Sequence, residues 1–235
     1  AGLVGSCRNS TVSYCYSKAK VEVSAGQAGG LIAWAGETST IIDCYHNGMV
    51  SNGAEITGGI VGFLPGNGTV TITNCYHTGT LTDTKGSRGL VGYYTLTGST
   101  DTTNIQITNC YSTDALRGST TSDKDYVTFT DCAVVSHDDL VEMAIDLGEK
   151  FMYDCTWDND GYPIFVRQNT VTLPEDLILT TSAELRLLSY MVNSGQTDFS
   201  GKTVRLGRDV DLMHRQWVPI GGNQTTLTAG KVFKG

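Results

Sequence analysis

The chain has 235 residues, a formal net charge of -8 and only 17% charged residues. A nucleic-acid partner calls for a basic stripe and anionic lipid calls for a polybasic segment, so this composition excludes both as expected partners. No run of about 20 apolar residues occurs, so membrane insertion through a spanning helix is not expected.

No signal-peptide pattern stands at Ala1. The sequence opens inside a repeated motif, which predicts a piece of a longer protein. Low charge with abundant Gly, Thr, Ser and Asn predicts an extracellular location, secreted or at a cell surface.

Four openings of a Gly–apolar–apolar step stand in series: Gly2-Leu3-Val4-Gly5, Gly30-Leu31-Ile32, Gly59-Ile60-Val61-Gly62 and Gly89-Leu90-Val91-Gly92. They lie 28, 29 and 30 residues apart. Each is followed by a β-rich stretch that closes on Cys-Tyr: Cys15-Tyr16, Cys44-Tyr45, Cys75-Tyr76 and Cys110-Tyr111. A period of this length is the mark of stacked repeats.

Alignment on the cysteines gives columns. Three residues earlier stand Val12, Ile41, Ile72 and Ile107, β-branched in every copy and so predicted to face a core. Thr and Ser flank them with period two, as in Val70-Thr71-Ile72-Thr73, which predicts a strand with one buried face. One residue before Cys stand Tyr14, Asp43, Asn74 and Asn109, where the strand should bend and where stacked amides can hydrogen-bond along the column. Six residues after Cys stand Val21, Val50, Leu81 and Leu116. Gly48 and Gly79 fit a corner where positive φ is cheap. A degenerate fifth copy carries Phe129, Asp131 and Cys132, with Ala133 in place of Tyr. One copy cannot bury its own apolar face, whereas a stack can. The expected fold is all-β, a right-handed parallel β-helix (β-solenoid) of about four or five rungs over residues 1–135, with short α-helical capping elements.

Ser136-His137-Asp138-Asp139 reads as a capping box. It opens a helix of about ten residues through Leu140, Met143, Ala144 and Leu147, with Gly148 as its stop. A polar turn from Trp157 to Gly161 and an apolar strand through Ile164-Phe165 complete a cap over 136–170. After a linker-like stretch, Thr181-Ser182-Ala183-Glu184 caps a second helix with the stripe Leu185, Leu188, Met191 and Val192. Short strands and turns follow at Val204-Arg205-Leu206, Asp209 to Leu212 and Trp217 to Gly221, all within a third segment, 171–235.

Gly89 to Gly92, together with Asn74-Cys75-Tyr76-His77-Thr78-Gly79, resembles the GLUG-motif repeats of large bacterial cell-surface, adhesin-like proteins. Such repeats also occur in non-catalytic regions of immunoglobulin A peptidases. Asp160-Gly161-Tyr162-Pro163-Ile164 looks like the end of such an array. Thr181 through Gly221 looks like the segment that precedes one, through Gly201-Lys202-Thr203, Leu206, Asp209 to Leu212 and Trp217 to Gly221. Here that segment follows an array. Either it joins two arrays, or the end at Gly235 is completed by another copy. The resemblance implies extracellular repeat modules of parallel β-helix architecture, with no catalytic residues to carry over.

No catalytic constellation is legible, no cofactor is implied, and HExxH and Gly-x-Ser-x-Gly are absent. His46 and His77, both two after Cys, are a stacked metal pair or two exposed corner residues. The second reading is preferred, since a metal site needs further ligands. His137 and His214 stand alone in the capping segments. Asp158-Asn159-Asp160-Gly161 is a calcium-loop fragment or a plain Asx turn, and the absence of a downstream Glu favours the turn. Asp209 and Asp211 read as one solvated face of a strand. Cys15, Cys44, Cys75 and Cys110 form a structural column, either of buried thiols or of disulfides between neighbouring strands. Tyr16, Tyr45, Tyr76 and Tyr111 form an aromatic ladder that stacks on itself or on a sugar or protein partner.

Three functions follow as expectations. The first is a non-catalytic structural or adhesive surface module that binds host glycan or protein or serves as a stalk. The second is a head-to-tail fibre subunit whose partners are other copies of itself. The third and weakest is a carbohydrate-active enzyme, for which the basic residues Lys18, Lys20, Lys85, Arg88 and Arg117 are too scattered.

Overall fold

The computed structural model describes residues 1–52, 57–66, 68–83, 88–95, 104–114 and 127–221. Lys85, Leu116, Arg117 and the residues from Phe233 to Gly235 lie outside the described residues. The chain divides into two compact units, Ala1–His137 and Asp138–Gly235.

Unit 1 is built of parallel sheets, to which successive repeats add strands. The first sheet holds Val4–Arg8, Ile32–Gly36, Val61–Pro65 and Val91–Thr95. The second holds Thr11–Ser17, Ser39–His46 and Thr69–His77, then Asn104–Thr108 with Tyr111–Ser112, and Val127–Thr130 with Ala133–Val134. The third holds Val21–Val23, Val50–Asn52 and Leu81–Asp83. This parallel, repeat-by-repeat pairing fits a β-solenoid in general terms.

The register places the sequence columns side by side. Val12, Ile41, Ile72, Ile107 and Phe129 pair in series. So do Tyr16, Tyr45, Tyr76 and Tyr111, and Val21, Val50 and Leu81. Ile41, Ile72 and Ile107 are buried with Ile32, Val61, Val91 and the thiols in one continuous core. Parallel strands lie about 4.8 Å apart, so each apolar side chain rests on its counterpart in the next copy.

The bend before Cys has one backbone conformation in all five copies. Tyr14, Asp43, Asn74, Asn109 and Asp131 all have φ between 50° and 55°. That left-handed region disfavours most side chains and is best tolerated by Gly, Asn and Asp. The amides also join the copies. Asn74 Nδ2 donates to Asp43 Oδ1 at 2.9 Å, and Asn109 Nδ2 donates to Asn74 Oδ1 at 2.8 Å. A second left-handed column, absent from the sequence expectations, is Asn9, Glu37 and Gly68 at the preceding corner.

Gly48 and Gly79 sit at their corners for a different reason from the one expected. Neither has positive φ. A Cβ on Gly79 would lie 1.8 Å from the Gly48 carbonyl oxygen, and one on Gly48 would lie 2.2 Å from that of Ala19, so the constraint is close backbone approach.

Helix α1 spans His137–Glu142, all but its first residue in unit 2, and is shorter than the ten residues expected. The chain then continues in tighter turns, with Met143 N bonded to Leu140 O and Gly148 N to Ile145 O. Leu140, Met143, Ala144 and Leu147 are nevertheless buried. Phe151–Met152 pairs antiparallel with Ile164–Phe165. Helix α2 spans Ser182–Asn193 and begins with the expected capping box: Glu184 N donates to Thr181 Oγ1 and Thr181 N to Glu184 Oε2. Its stripe packs with Leu179 and Phe199. Asp209 to Leu212 is not a strand. Asp211 Oδ1 accepts from Met213 N at 2.7 Å, and the left-handed Met213 and His214 turn the chain there.

Residues on both sides of position 170 meet in this unit. Tyr190 Oη donates to the Phe151 carbonyl at 3.1 Å, Ser189 Oγ to the Val218 carbonyl at 2.7 Å, and Asn193 Nδ2 to the Pro219 carbonyl at 3.0 Å. Helix α2 thus has a second buried face, polar rather than apolar.

The amide column separates into two testable contributions. Asn74→Gly keeps the left-handed backbone and loses both ladder bonds, to Asp43 and from Asn109, so a loss of about 2 kcal/mol is expected. Asn74→Ala adds the left-handed strain, for about 3 kcal/mol. Urea unfolding of the two variants measures the difference, and equal losses would remove backbone conformation as the reason for this column.

Candidate functional site

Two residues after each Cys, the side chain turns into the corner and meets the opening glycine of its own repeat. A Cβ on Gly30 would lie 2.2 Å from His46 Nδ1, and one on Gly59 would lie 2.2 Å from His77 Cγ. In the outer copies the same place is taken by Ser17 against Gly2 and Ser112 against Gly89. The opening glycine therefore leaves room for a side chain, a coupling that periodicity alone does not reveal.

His46 and His77 are consequently fully buried, which corrects the expectation of two exposed corner residues. The rings stack with centroids 5.3 Å apart and 5° between planes. His77 Nδ1 lies 2.8 Å from the His46 carbonyl oxygen, His46 Nε2 lies 3.1 Å from that of Ala19, and the two Nδ1 atoms lie 3.3 Å apart. Both carbonyls accept, so His77 carries its proton on Nδ1 and His46 on Nε2, and each ring is neutral. Burial pushes the His46 pKa down to about 4. Burial, reinforced by its stacked neighbour, pushes His77 down to about 3. Among the described residues, no group of three or more His, Cys, Asp or Glu side chains is placed to hold a metal ion.

The seven cysteines are thiols, not disulfides. Cys44, Cys75 and Cys110 are buried in one column, and Cys75 N donates to Cys110 Sγ at 3.4 Å. Hydrogen bonding to Cys75, then burial, raises the Cys44 pKa, while burial chiefly raises Cys75 and Cys110. Cys132, at the half-exposed end of the column, is lowered by hydrogen bonding with Cys110. The column is thus least nucleophilic in its middle.

The tyrosine ladder is stacked, with centroid spacings of 5.0 Å for Tyr16–Tyr45 and 4.9 Å for Tyr45–Tyr76. Tyr45 and Tyr76 are fully buried and Tyr111 is 8% exposed, while Tyr16 is 39% exposed. Rings that stack on one another give their faces to neighbours, so Tyr45 and Tyr76 offer a sugar no platform. A more exposed aromatic column lies on the first sheet, at the fourth position after the opening glycine. There Trp34, Phe63 and Tyr93 are in register, Phe63 and Tyr93 stack at 5.7 Å, and the Arg8 guanidinium covers Trp34 at 4.3 Å. Alignment on the glycines rather than the cysteines makes this column visible in the sequence.

In unit 2 the Asp158–Gly161 segment turns around Asp154, a residue that no motif or spacing marks. Asp154, buried, accepts from Asn159 N at 2.7 Å and Gly161 N at 3.2 Å, and Thr156 Oγ1 bridges Asp154 and Asp158. Its carboxylate organises the loop through hydrogen bonds. Asp154 itself lines a cavity of about 20 Å3, together with Trp157, Arg186 and Gln216.

The histidine pair sets a pH dependence. Unfolded histidine titrates near 6.5, so between that value and the folded values of about 4 and about 3 the unfolded chain binds more protons. Stability is complete above pH 6.5 and falls as pH drops, by on the order of 3–4 kcal/mol between pH 7 and 5 for the two rings together. Replacing both with the serine used in the outer copies (H46S/H77S) should flatten urea midpoints over that window. An unchanged slope would refute the buried neutral pair. In the native protein, a thiol reagent should label Cys15 and Cys132 in preference to Cys44, Cys75 and Cys110, which should react only on unfolding. Rapid native labelling of Cys75 would contradict its placement.

No family model, curated protein or solved structure matches this chain.

Proposed function

We propose that the chain is a non-catalytic, extracellular module of a GLUG-type bacterial surface protein, a right-handed parallel β-helix that presents a repeated surface for adhesion. The observation that carries this reading is the outward side of the second sheet. Thr11, Thr40, Thr71, Gln106 and Thr128 form one row, and Ser13, Ile42, Thr73, Thr108 and Thr130 form the next. These positions alternate with the buried Ile41, Ile72 and Ile107 and are exposed or half-buried. The result is a neutral, hydroxyl-lined face repeated about every 4.8 Å, suited to hydrogen bonding with the hydroxyls of a neutral glycan or with a peptide.

The fibre alternative rests on a second observation. Leu3 and Tyr16 of the first copy are 46% and 39% exposed, whereas Leu31 and Tyr45 in the same columns are fully buried. A further copy stacked on that edge would cover them.

An array of host glycans and matrix proteins tests the adhesive reading. Saturable binding is expected, with a loss of about tenfold in the double variant Thr71→Lys/Thr73→Lys, which removes about 1.4 kcal/mol of contact and leaves the buried side of the strand intact. Silence across the array would eliminate adhesion. Turnover of any polysaccharide would overturn the non-catalytic assignment, and growth of filaments with concentration would favour the fibre reading.

A further inference from the structure

We propose that Cys110 and Cys132 are a redox-active pair, a peroxide-sensitive modification site that closes to a disulfide and ties the last copy of unit 1 to the copy before it. The two cysteines come from successive copies and stand opposite one another. Asn109 N donates to the Thr130 carbonyl at 2.9 Å and Ala133 N to the Cys110 carbonyl at 3.3 Å, one bond on each side of the pair. The two thiols are hydrogen-bonded to each other. Cys132 Sγ also lies 3.4 Å from the carbonyl oxygen of Ile107, so this side chain is turned toward the copy that carries Cys110.

Position in the column decides which pair reacts. Cys44, Cys75 and Cys110 are fully buried. Cys132 is only partly buried and packs on the end of the core. The strands on either side of it, Val127–Thr130 and Ala133–Val134, form the edge of the second sheet, and Val134 is 55% exposed. An oxidant therefore meets Cys132 before the thiols behind it. Hydrogen bonding with Cys110 holds the Cys132 pKa below its ordinary value, which raises the share of thiolate, the form that attacks peroxide. At the opposite end Cys15 is partly buried too, but its neighbour Cys44 directs its thiol hydrogen bonding to Cys75.

The step balances with a hydroperoxide as oxidant. The Cys132 thiolate attacks one oxygen of hydrogen peroxide, the O–O bond breaks and hydroxide leaves, giving a sulfenic acid. The Cys110 thiol then attacks that sulfur. An S–S bond replaces the S–O bond, and the Cys110 proton leaves with the hydroxyl group as water. Two electrons pass from the two sulfurs to the peroxide. Cα atoms of in-register parallel strands lie about 4.8 Å apart, inside the range of about 4.4–6.8 Å that disulfides span. The Cβ atoms are spaced alike and must approach to about 4.5 Å or less, a small movement for an edge strand held on one side only. A bridge formed under such strain is readily reduced, which makes it a switch rather than a permanent staple. The inference does not depend on the adhesive reading.

Peroxide treatment of the whole chain at neutral pH, followed by alkylation of the remaining thiols, digestion without reductant and mass spectrometry, tests the pair. A linked Cys110–Cys132 peptide is expected as the first oxidation product, and dithiothreitol should restore both thiols. Cys132→Ser should abolish the link, and in Cys110→Ala dimedone should trap a sulfenic acid on Cys132. Oxidation should slow amide exchange at Thr128 and Thr130 about tenfold in the native sequence and leave it unchanged in Cys110→Ala. If Cys110→Ala does not fold, the product map of the native sequence decides. The proposal is overturned if both thiols survive peroxide, or if Cys15 pairs with Cys44 before Cys132 reacts. It is equally overturned if Cys132 proceeds to a sulfinic acid with Cys110 left free, or links two chains instead.

Discussion

Lateral pairing of equivalent residues is the constraint on which unit 1 depends. Each strand's hydrogen bonds go to the next copy, in parallel and in register. Every side chain must therefore tolerate its counterpart about 4.8 Å away. Ile on Ile, thiol on thiol, ring on ring and amide on amide satisfy that condition, whereas like charges directly opposite one another do not. The low charge of the sequence accords with this geometry. Where charges do occur near the columns, as at Asp43 beside Asn74, the neighbour is a donor and not another carboxylate.

What the sequence made legible follows from that rule. Columns that repeat in type, such as Val12, Ile41, Ile72 and Ile107, could be placed on a buried face because period-two alternation and repetition agree. What remained hidden depends on contacts between different columns. His46 is polar and stands at a corner, so exposure was the natural expectation. It is buried because Gly30, sixteen residues earlier, lacks a side chain. Nothing in either residue alone reveals that pairing, although the recurrence of glycine opposite Ser17, His46, His77 and Ser112 does once the fold is known. Gly48 and Gly79 show the converse, since turn chemistry suggested a special φ where crowding was the actual demand.

Unit 2 follows other rules. Its capping box and apolar stripe were readable because they are local, with spacings of three and four residues. The polar face of α2 was not, because Arg186, Ser189 and Asn193 take partners from Gln216, Val218 and Pro219, about 30 residues away. A helix with an apolar stripe on one side and polar residues on the other reads as half solvated. Here the polar side is inside as well, and its side chains hold the Trp217–Gly221 turn by backbone carbonyls, a specificity that hydropathy does not encode. The cavity at Trp157 and Arg186 arises on this face. Next to it, Trp157 Nε1 and Arg186 Nε are buried without hydrogen-bond partners.

The amide column has a direction. Asn109 donates to Asn74 and Asn74 donates to Asp43, so each proton points toward the earlier copy and the series terminates on an oxygen that has none to pass on. An aspartate is admissible at the head of such a chain and disruptive in its interior, where it would present an acceptor to an acceptor. The three middle copies are accordingly not freely permutable: Asp43 takes the receiving end, and beyond Asn109 the thread stops, because Asp131 has no proton to give and Asn109 Oδ1 accepts from Tyr111 Oη instead.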